Sequence, residues 1–195
     1  ISTVANKLPA FERETEYIGL TNDDEYAFYD GDIASTDTGR FQDYKNYKKI
    51  MQEYVVPQST AKCAKHARES YFVGALARFN LNSNQLHPQA QAVAGLFNLK
   101  PICTNPFMNS IAQLVEFVHN IEDSIMLIDQ LLDRGIKNES PIEPKIKAGH
   151  GVGIVEVPRG ILVHDYTLNK KGICEKANCI IPTNQNHANI QKDME

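Results

Sequence analysis

The stretch 105–135, NPFMNSIAQLVEFVHNIEDSIMLIDQLLDRG, decides the fold. Asn105 is a good N-cap, Pro106 suits the first helical turn, and Gly135 suits the stop. Between them, apolar residues recur at helical spacing: Ile111, Leu114, Val115, Val118, Ile121, Ile125, Ile128 and Leu132. At 1.5 Å per residue this pattern predicts a helix about 40 Å long, which suggests a member of a helical bundle. If the chain carries only part of that bundle, we expect apolar surface to be exposed.

Downstream of this helix the sequence predicts strands. Strand-like residues run through 151–166, a turn signal follows at 169–172, and a second strand covers 173–181. From Pro182 onward the sequence begins to read as a helix. Strands of this length, joined by turns, predict a small antiparallel sheet beside the long helix.

Three glycines precede the first of these strands, Gly149, Gly151 and Gly153. A phosphate-binding loop should lie between a strand and a helix, whereas strand-like residues follow these glycines. Glycine at this spacing more often permits a bend or a close backbone approach. The phosphate-loop interpretation is therefore rejected.

Upstream of the long helix the pattern is weaker. Residues 1–42 are polar, with a strand-like piece at 25–29 and a turn signal at Asp30-Gly31, so we expect a hairpin there. Apolar and aromatic residues at 44–55 recur at helical spacing, which predicts a helix that Pro57 ends. Residues 71–82 are apolar and predict a loop in which Arg78 must find an acceptor or reach water. The fold class expected is α+β, with a long helix and shorter helices in a partial bundle, packed with small antiparallel β-sheets.

Composition excludes several classes. The chain has 195 residues, 42% hydrophobic and 23% charged, with a formal net charge of −4, so no polybasic nucleic-acid surface is expected. No apolar run approaches the roughly 18 residues of a membrane span. The four cysteines, Cys63, Cys103, Cys174 and Cys179, lack the two-residue gap of a metal knuckle. Cys174 and Cys179 admit a broken metal site, but incidental thiols are the favoured interpretation.

Four segments carry a resemblance to a known family. The run GVGIVEVPRGILVHDY at 151–166 resembles the signature of nickel–iron hydrogenase large subunits, which has a Glu-Ala-Pro-Arg-Gly core. IPTNQN at 181–186 resembles that family's Pro-Thr/Ser-x-x-Asn segment, and VGALARFNL at 73–81 resembles its Val-Gly-Pro-Leu-Ala-Arg segment. The Asn-Pro-Phe opening of the long helix also agrees. The Gln-Asn form of the second segment resembles the soluble cytoplasmic branch, which is coupled to nicotinamide, deazaflavin or disulfide partners.

The resemblance implies a site. Arg159 matches the Arg that hydrogen-bonds one cyanide of an iron carrying two cyanides and one carbon monoxide, and Thr183 matches the hydroxyl that bonds the other cyanide. Pro158, Leu162 and Pro182 match residues around the diatomic ligands. Arg159 would be the catalytic residue, although its role as a proton-handling base is disfavoured by the high intrinsic pKa of a guanidinium. The backbone carbonyl of Cys179 matches a magnesium ligand.

The resemblance also implies what the chain lacks. The family's two cysteine pairs, which hold nickel and iron, are missing, so residues 1–195 are expected to be a central fragment that is inactive alone. The active site would need the Ni-Fe(CN)2CO centre of the full-length protein and possibly Mg. Expected partners are electron-acceptor subunits and an iron–sulfur small subunit, with no nucleic acid and no membrane span, in the cytoplasm.

The sequence departs from the family pattern at three positions. Ala75 stands where the family usually has Pro, Val157 where it has Ala, and His150 where an acidic residue is common. Two alternatives stay open. One is the quinone-site subunit of respiratory NADH dehydrogenases, which shares Pro-Arg-Gly but typically continues with Glu where this chain has Ile161. The other is a non-catalytic interaction domain that uses the long helix as its binding face.

Overall fold

A computed structural model describes residues 7–195. The strands are β1 (Glu16–Thr21), β2 (Asp32–Ser35), β3 (Gly39–Phe41), β4 (Gln52–Tyr54), β5 (Cys63–Lys65), β6 (Tyr71–Phe72), β7 (Gly149–Val157), β8 (Gly160–Leu168) and β9 (Cys174–Ile180). The α-helices are α1 (Ala75–Asn82), α2 (Pro88–Leu96), α3 (Asn109–Arg134) and α4 (Pro182–Met194). Short 3-10 helices cover Tyr44–Lys49, Ser83–Gln85 and Pro106–Met108. The α+β class is confirmed.

The long helix is confirmed from cap to stop. The Asn105 side chain accepts a hydrogen bond from the Phe107 amide, a 3-10 turn follows, and α3 runs for 26 residues to Gly135, whose φ is +80°. A residue with positive φ cannot continue an α-helix, and glycine adopts that conformation without a steric penalty. The first half of α3 packs against α1 and α2, and most of its second half is exposed.

Three small sheets accompany the helices. β7, β8 and β9 form an antiparallel meander, as the sequence predicts, although the first strand begins at Gly149 and includes the three glycines. β4 and β5 form an antiparallel pair. The third sheet has the order β3-β2-β1-β6, in which β1 and β6 are parallel, so the expectation of purely antiparallel sheets is wrong for that one pairing.

Three local predictions upstream of the long helix are corrected. The hairpin is present as β1 and β2, but residues 25–29 form no strand, because the buried Tyr26 and Ala27 lie in the connection. The predicted helix over 44–55 is only a 3-10 helix that ends at Lys49, and its last part is β4. Residues 75–82 are helix α1, not loop. In each case tertiary packing outweighs the local pattern.

Two clusters of buried side chains form the core. One lies among α1, α2, the first half of α3 and the β1 side of the sheet, and includes Tyr17, Leu76 and Val115. The other joins β1 and β2 to the meander through Ile161 and Val163. The β7–β8 turn lies where these clusters meet. No helix among residues 7–195 is both long and apolar enough to cross a membrane.

Candidate active site

The tight turn between β7 and β8 carries Pro158 and Arg159. Val157 pairs with Gly160 across the turn, so only two residues connect the strands. Gly160 has φ +131°, and a Cβ built there would lie 2.5 Å from Cγ2 of Val73. Both the conformation and the lack of space require glycine at this position.

The segment before α1 holds the other side of the turn. Gly74 has φ +123°, and a Cβ at this residue would lie 3.1 Å from the Arg159 carbonyl oxygen. The two backbones therefore approach closely, and the Val-Gly and Arg-Gly pairs of the two sequence motifs are in contact. The Leu76 amide at the start of α1 donates to Oδ1 of Asn109 at 3.1 Å, which ties the same segment to the long helix.

Arg78 of α1 lies beneath the turn and is 1% exposed. Its guanidinium donates to both carboxylate oxygens of Glu116, at 2.6 and 2.7 Å, and to Glu156 at 2.8 Å. It also donates to the carbonyls of Val157, at 3.0 Å, and Pro158, at 3.4 Å. The predicted ion pair of Arg78 is confirmed, and it has two carboxylate partners.

Both carboxylates of this buried cluster have further donors. Glu116 accepts from the hydroxyl of Tyr26 at 2.9 Å, and Glu156 accepts from the Leu20 amide at 2.8 Å. Burial raises the pKa of the Glu156 carboxyl, and the charge and hydrogen bonds of Arg78 oppose that rise. Burial also raises the pKa of Tyr26, so its phenol stays protonated and remains a donor.

The first turns of α4 connect the last motif to the same region. Gln185 donates to the Ile161 carbonyl at 2.7 Å and accepts from the Tyr71 hydroxyl at 3.0 Å. Asn186 donates to the carbonyl of Val73 and accepts from its amide, both at 2.9 Å. The structure therefore brings together all four segments in which the sequence resembles a known family.

The predicted site residues fall into two groups. Pro158 and Arg159 are exposed at the turn and Leu162 is half-buried on β8; Pro182 is buried and Thr183 exposed in the first turn of α4. The bond from Gln185 to Ile161 holds these two elements next to each other. The Arg159 side chain forms no hydrogen bond or ion pair with any other described residue, so its guanidinium is available to an acceptor outside residues 7–195.

Cys179 lies further along the sheet. It pairs with His164 on β8, several residues from the turn, and its exposed thiol lies 3.6 Å from Nδ1 of His164. Cys174 is also exposed on β9 and is a free thiol. Within residues 7–195 no group of three or more His, Cys, Asp or Glu side chains could hold a metal ion. A broken metal site at these two cysteines therefore receives no support.

Sequence reasoning missed the residues that support the site. Glu116 stands four residues after the buried Ala112 and three before the buried His119, on the packed face of α3. A carboxylate at helical spacing among buried residues was the available signal, because such a group needs a buried cation. Gln185 and Asn186 lie within the Pro-Thr motif, but no local signal predicted their partners.

Comparison with known proteins identifies the family. No protein-family model matches the chain. The chain is 35% identical over 175 residues to the alpha subunit of Sulfhydrogenase 1 of Pyrococcus furiosus, covering 87% of this chain and 39% of the relative. It is 32% identical over 195 residues to a vhu F420-non-reducing hydrogenase subunit of Methanocaldococcus jannaschii, covering 92% of this chain and 45% of the relative. The chain belongs to the nickel–iron hydrogenase large-subunit family.

The fold agrees with this assignment. A crystal structure of an NAD+-reducing [NiFe]-hydrogenase in the H2-reduced state superposes with a TM-score of 0.74 at 24% identity, covering 94% of this chain and 43% of that one. At that identity the similarity establishes the fold alone. The chain spans less than half the length of these hydrogenase relatives. Membership favours the hydrogenase interpretation over the interaction domain and the quinone-site subunit.

Proposed function

We propose that this chain is a central segment of a hydrogenase large subunit, one that takes part in reversible cleavage of H2 into protons and electrons. Its similarity to hydrogenase subunits over about nine-tenths of its length supports the proposal, as does its span of less than half of their length. The cysteine pairs that would bind nickel and iron are not in residues 1–195. We therefore expect the chain to be inactive by itself.

One observation carries the proposed site. Arg159 has a tightly held backbone and an exposed guanidinium without a partner among the described residues, next to the exposed hydroxyl of Thr183. A planar cation and a hydroxyl in this arrangement suit anionic acceptors such as cyanides. The donor set therefore fits a Ni-Fe(CN)2CO centre, which would supply the heterolytic cleavage of H2 when bound.

The residues of this chain would bind and orient. Arg159 would donate a charge-assisted hydrogen bond to one cyanide, and Thr183 would donate its hydroxyl proton to the other. Pro158, Leu162 and Pro182 would line an apolar surface that excludes water, which strengthens both hydrogen bonds. Because Arg159 keeps its charge, it would act as the catalytic residue by stabilising negative charge near the reacting metals.

Replacing Arg159 with Lys in the full-length subunit, matured with its partners, tests this role. We expect R159K to shift the infrared bands of the cyanides and to lower hydrogen uptake at least about tenfold, because lysine cannot reproduce the planar donor geometry. The conservative control is R134K at the exposed end of α3, which should leave bands and uptake unchanged. Unchanged bands in R159K would contradict the proposed site and leave Pro158-Arg159-Gly160 a structural turn.

Thr183→Val separates the second donor from the first. The substitution keeps the shape of the side chain and removes its hydroxyl, so we expect one cyanide band to move while the other keeps its position. T167V, on β8, is the matched control. If both bands stay in place, Thr183 has no part in the site.

The isolated 195-residue chain tests the inactive-segment proposal. We expect neither stoichiometric nickel binding by equilibrium dialysis nor hydrogen uptake. Stoichiometric nickel or measurable uptake would refute it.

The proposed partners are electron-acceptor subunits and an iron–sulfur small subunit. A 28% identical relative in Archaeoglobus profundus, whose name describes an iron-sulfur subunit of an F420-non-reducing hydrogenase, supports this proposal. Copurification of these proteins with the tagged full-length subunit tests the association. Recovery of the tagged subunit without them would contradict it.

The Cys179 carbonyl is proposed as one ligand of a magnesium ion whose other ligands come from outside the described residues. In a structure of the full-length subunit, we expect about 2.1 Å between that oxygen and the metal. A magnesium ion bound elsewhere would contradict this assignment.

A further inference from the structure

The β7–β8 turn combines a fixed backbone with a free side chain. Gly74 and Val73 press against it from one side, and Arg78 donates to two of its carbonyls from beneath. The guanidinium of Arg159 itself has no partner within residues 7–195. A donor whose backbone is immobilised before an acceptor arrives loses little conformational freedom on binding.

All five N–H groups of Arg78 are used. The Nε–H and one Nη2–H donate to Glu116, one Nη1–H donates to Glu156, and the remaining two donate to the carbonyls of Val157 and Pro158. Each carbonyl bond depends on the orientation of the guanidinium plane. The bidentate pair with Glu116 fixes that plane.

Three elements therefore meet at one cation. Arg78 comes from α1, Glu116 from the packed half of α3, and Glu156 from the end of β7, two residues before the turn. The Phe28 ring also covers the guanidinium, with 5.4 Å between Cζ and the ring centroid. A neutral or shorter side chain at position 78 would leave two buried carboxylates and two carbonyls without this donor.

We propose that Arg78 is a positioning residue for Arg159: its guanidinium, held by Glu116 and Glu156, fixes the Val157 and Pro158 carbonyls and so sets the direction in which Arg159 presents its own guanidinium. This inference rests on the proposed function, because it gives Arg159 an acceptor at the metal site. It assigns to the Leu-Ala-Arg segment a role in the geometry of the site, without contact with any reacting atom.

Arg78→Lys is the primary test. Lysine keeps the charge, but its three N–H groups radiate from one atom and cannot serve five acceptors in a plane. In the isolated chain we expect hydrogen exchange of the amides in 157–161 to accelerate about tenfold or more, since at least one charge-assisted hydrogen bond is lost. In the matured full-length subunit we expect the cyanide bands of R78K to shift or broaden.

Glu16→Gln is the matched control. Glu16 is also fully buried and accepts bonds from His66, Ser35 and two amides, but it lies in the β1 sheet away from the turn. E16Q should loosen its own surroundings and leave the cyanide bands in place. If R78K behaves in the same way, with unchanged bands, Arg78 is only structural and the inference is wrong.

A second variant covers the case in which R78K fails to fold. Glu116→Gln keeps the side-chain shape and removes one of the two acceptors that fix the guanidinium plane, so we expect a smaller increase in exchange at 157–161 and a smaller band shift. Unchanged exchange and bands in E116Q would overturn the inference. R159K separates it from the proposed function: shifted bands in R159K with unchanged bands in R78K and E116Q refute positioning alone, and unchanged bands in R159K refute the site itself.

Discussion

The two halves of α3 share one apolar stripe and have opposite surroundings. In the first half, Ile111, Val115 and His119 are buried against α1 and α2. In the second half, Ile121, Ile125, Ile128 and Leu132 are 46–60% exposed. The packed half also carries Glu116, whose charge is neutralised by Arg78, whereas the charged residues of the exposed half point to solvent.

This difference shows that periodicity predicts a helix and one apolar face, but not what covers that face. The packed half has its cover within residues 7–195, and the exposed half has none there. Since the relatives are more than twice as long as the matched region, we infer that the exposed half is covered in the full-length subunit. Substitutions of the same kind in the two halves should therefore have different effects on the isolated chain.

Removing a carboxylate should show the largest contrast. Glu116→Ala leaves Arg78 buried with part of its acceptors missing, and the expected loss in the free energy of unfolding is about 3–5 kcal/mol. Asp129→Ala, on the exposed half, should change it by less than about 0.5 kcal/mol. Urea denaturation followed by circular dichroism measures both. Similar losses in the two variants would mean that the Arg78 cluster stabilises no more than a surface charge.

Truncating an isoleucine in each half gives the next largest contrast. Ile111 is 9% exposed and Ile125 is 55% exposed. We expect Ile111→Ala to lower the free energy of unfolding by about 2–4 kcal/mol, because it leaves a cavity, and Ile125→Ala to change it by less than about 0.5 kcal/mol. The same denaturation assay applies. A large loss in I125A would show that the second half is already covered, by a second copy of the chain, and its dependence on protein concentration would confirm that.

The same contrast explains which parts of the fold were predictable. The long helix, the meander and α4 follow from strong local signals: a capped apolar stripe, alternating strands with a turn signal, and Pro182 at a helix start. The 3-10 helix at Tyr44–Lys49 does not follow, because Tyr47 is held by the meander through its hydroxyl bond to Asp165. The tyrosines at helical spacing therefore belong to a 3-10 helix and a strand.

The candidate site divides in a similar way. Arg159, Thr183 and their neighbours were chosen because their motifs resemble those of a family, and the structure brings those motifs together. The supporting contacts were not predictable, because Arg78, Glu116 and Glu156 meet only when α1, α3 and β7 pack. Their sequence separations of 38 and 78 residues put these pairings beyond any local pattern.

The pH dependence of stability separates the packed half from the exposed half by a third means. Because the pKa of Glu156 is raised on folding, the folded chain binds more protons than the unfolded chain between the two pKa values. Its contribution is fully present below the unfolded value of about 4.3 and is lost as the pH rises through the folded value. We therefore expect Glu156→Gln, whose amide never ionises, to gain stability relative to the wild type from about pH 4 to about pH 7.5.

Denaturation at several pH values measures this gain, with Asp129→Asn on the exposed half as the control. D129N should follow the wild type across the range. A free energy difference between E156Q and the wild type that does not vary with pH would show that Arg78 fully compensates the burial of Glu156.

The smallest effect is expected where a charge is paired near the surface, as an intermediate case between the two halves of α3. Asp165 on β8 accepts from the Tyr47 hydroxyl and from Nε2 of His150, each at 2.7 Å, and these hydrogen bonds lower its pKa. Its contribution is therefore present above the unfolded pKa and lost as the pH falls through the lower folded value. Because solvent screens this site, Asp165→Asn should cost less than about 1 kcal/mol near pH 7.

Near pH 3 most of that difference should disappear, which is the opposite direction to the change expected for Glu156. Denaturation of D165N and of the exposed control D133N at the two pH values measures it. If D165N costs as much as Glu116→Ala, the link between the 3-10 helix and the meander is as important to stability as the Arg78 cluster. Burial of charge would then no longer explain why the packed half of α3 responds more strongly than its exposed half.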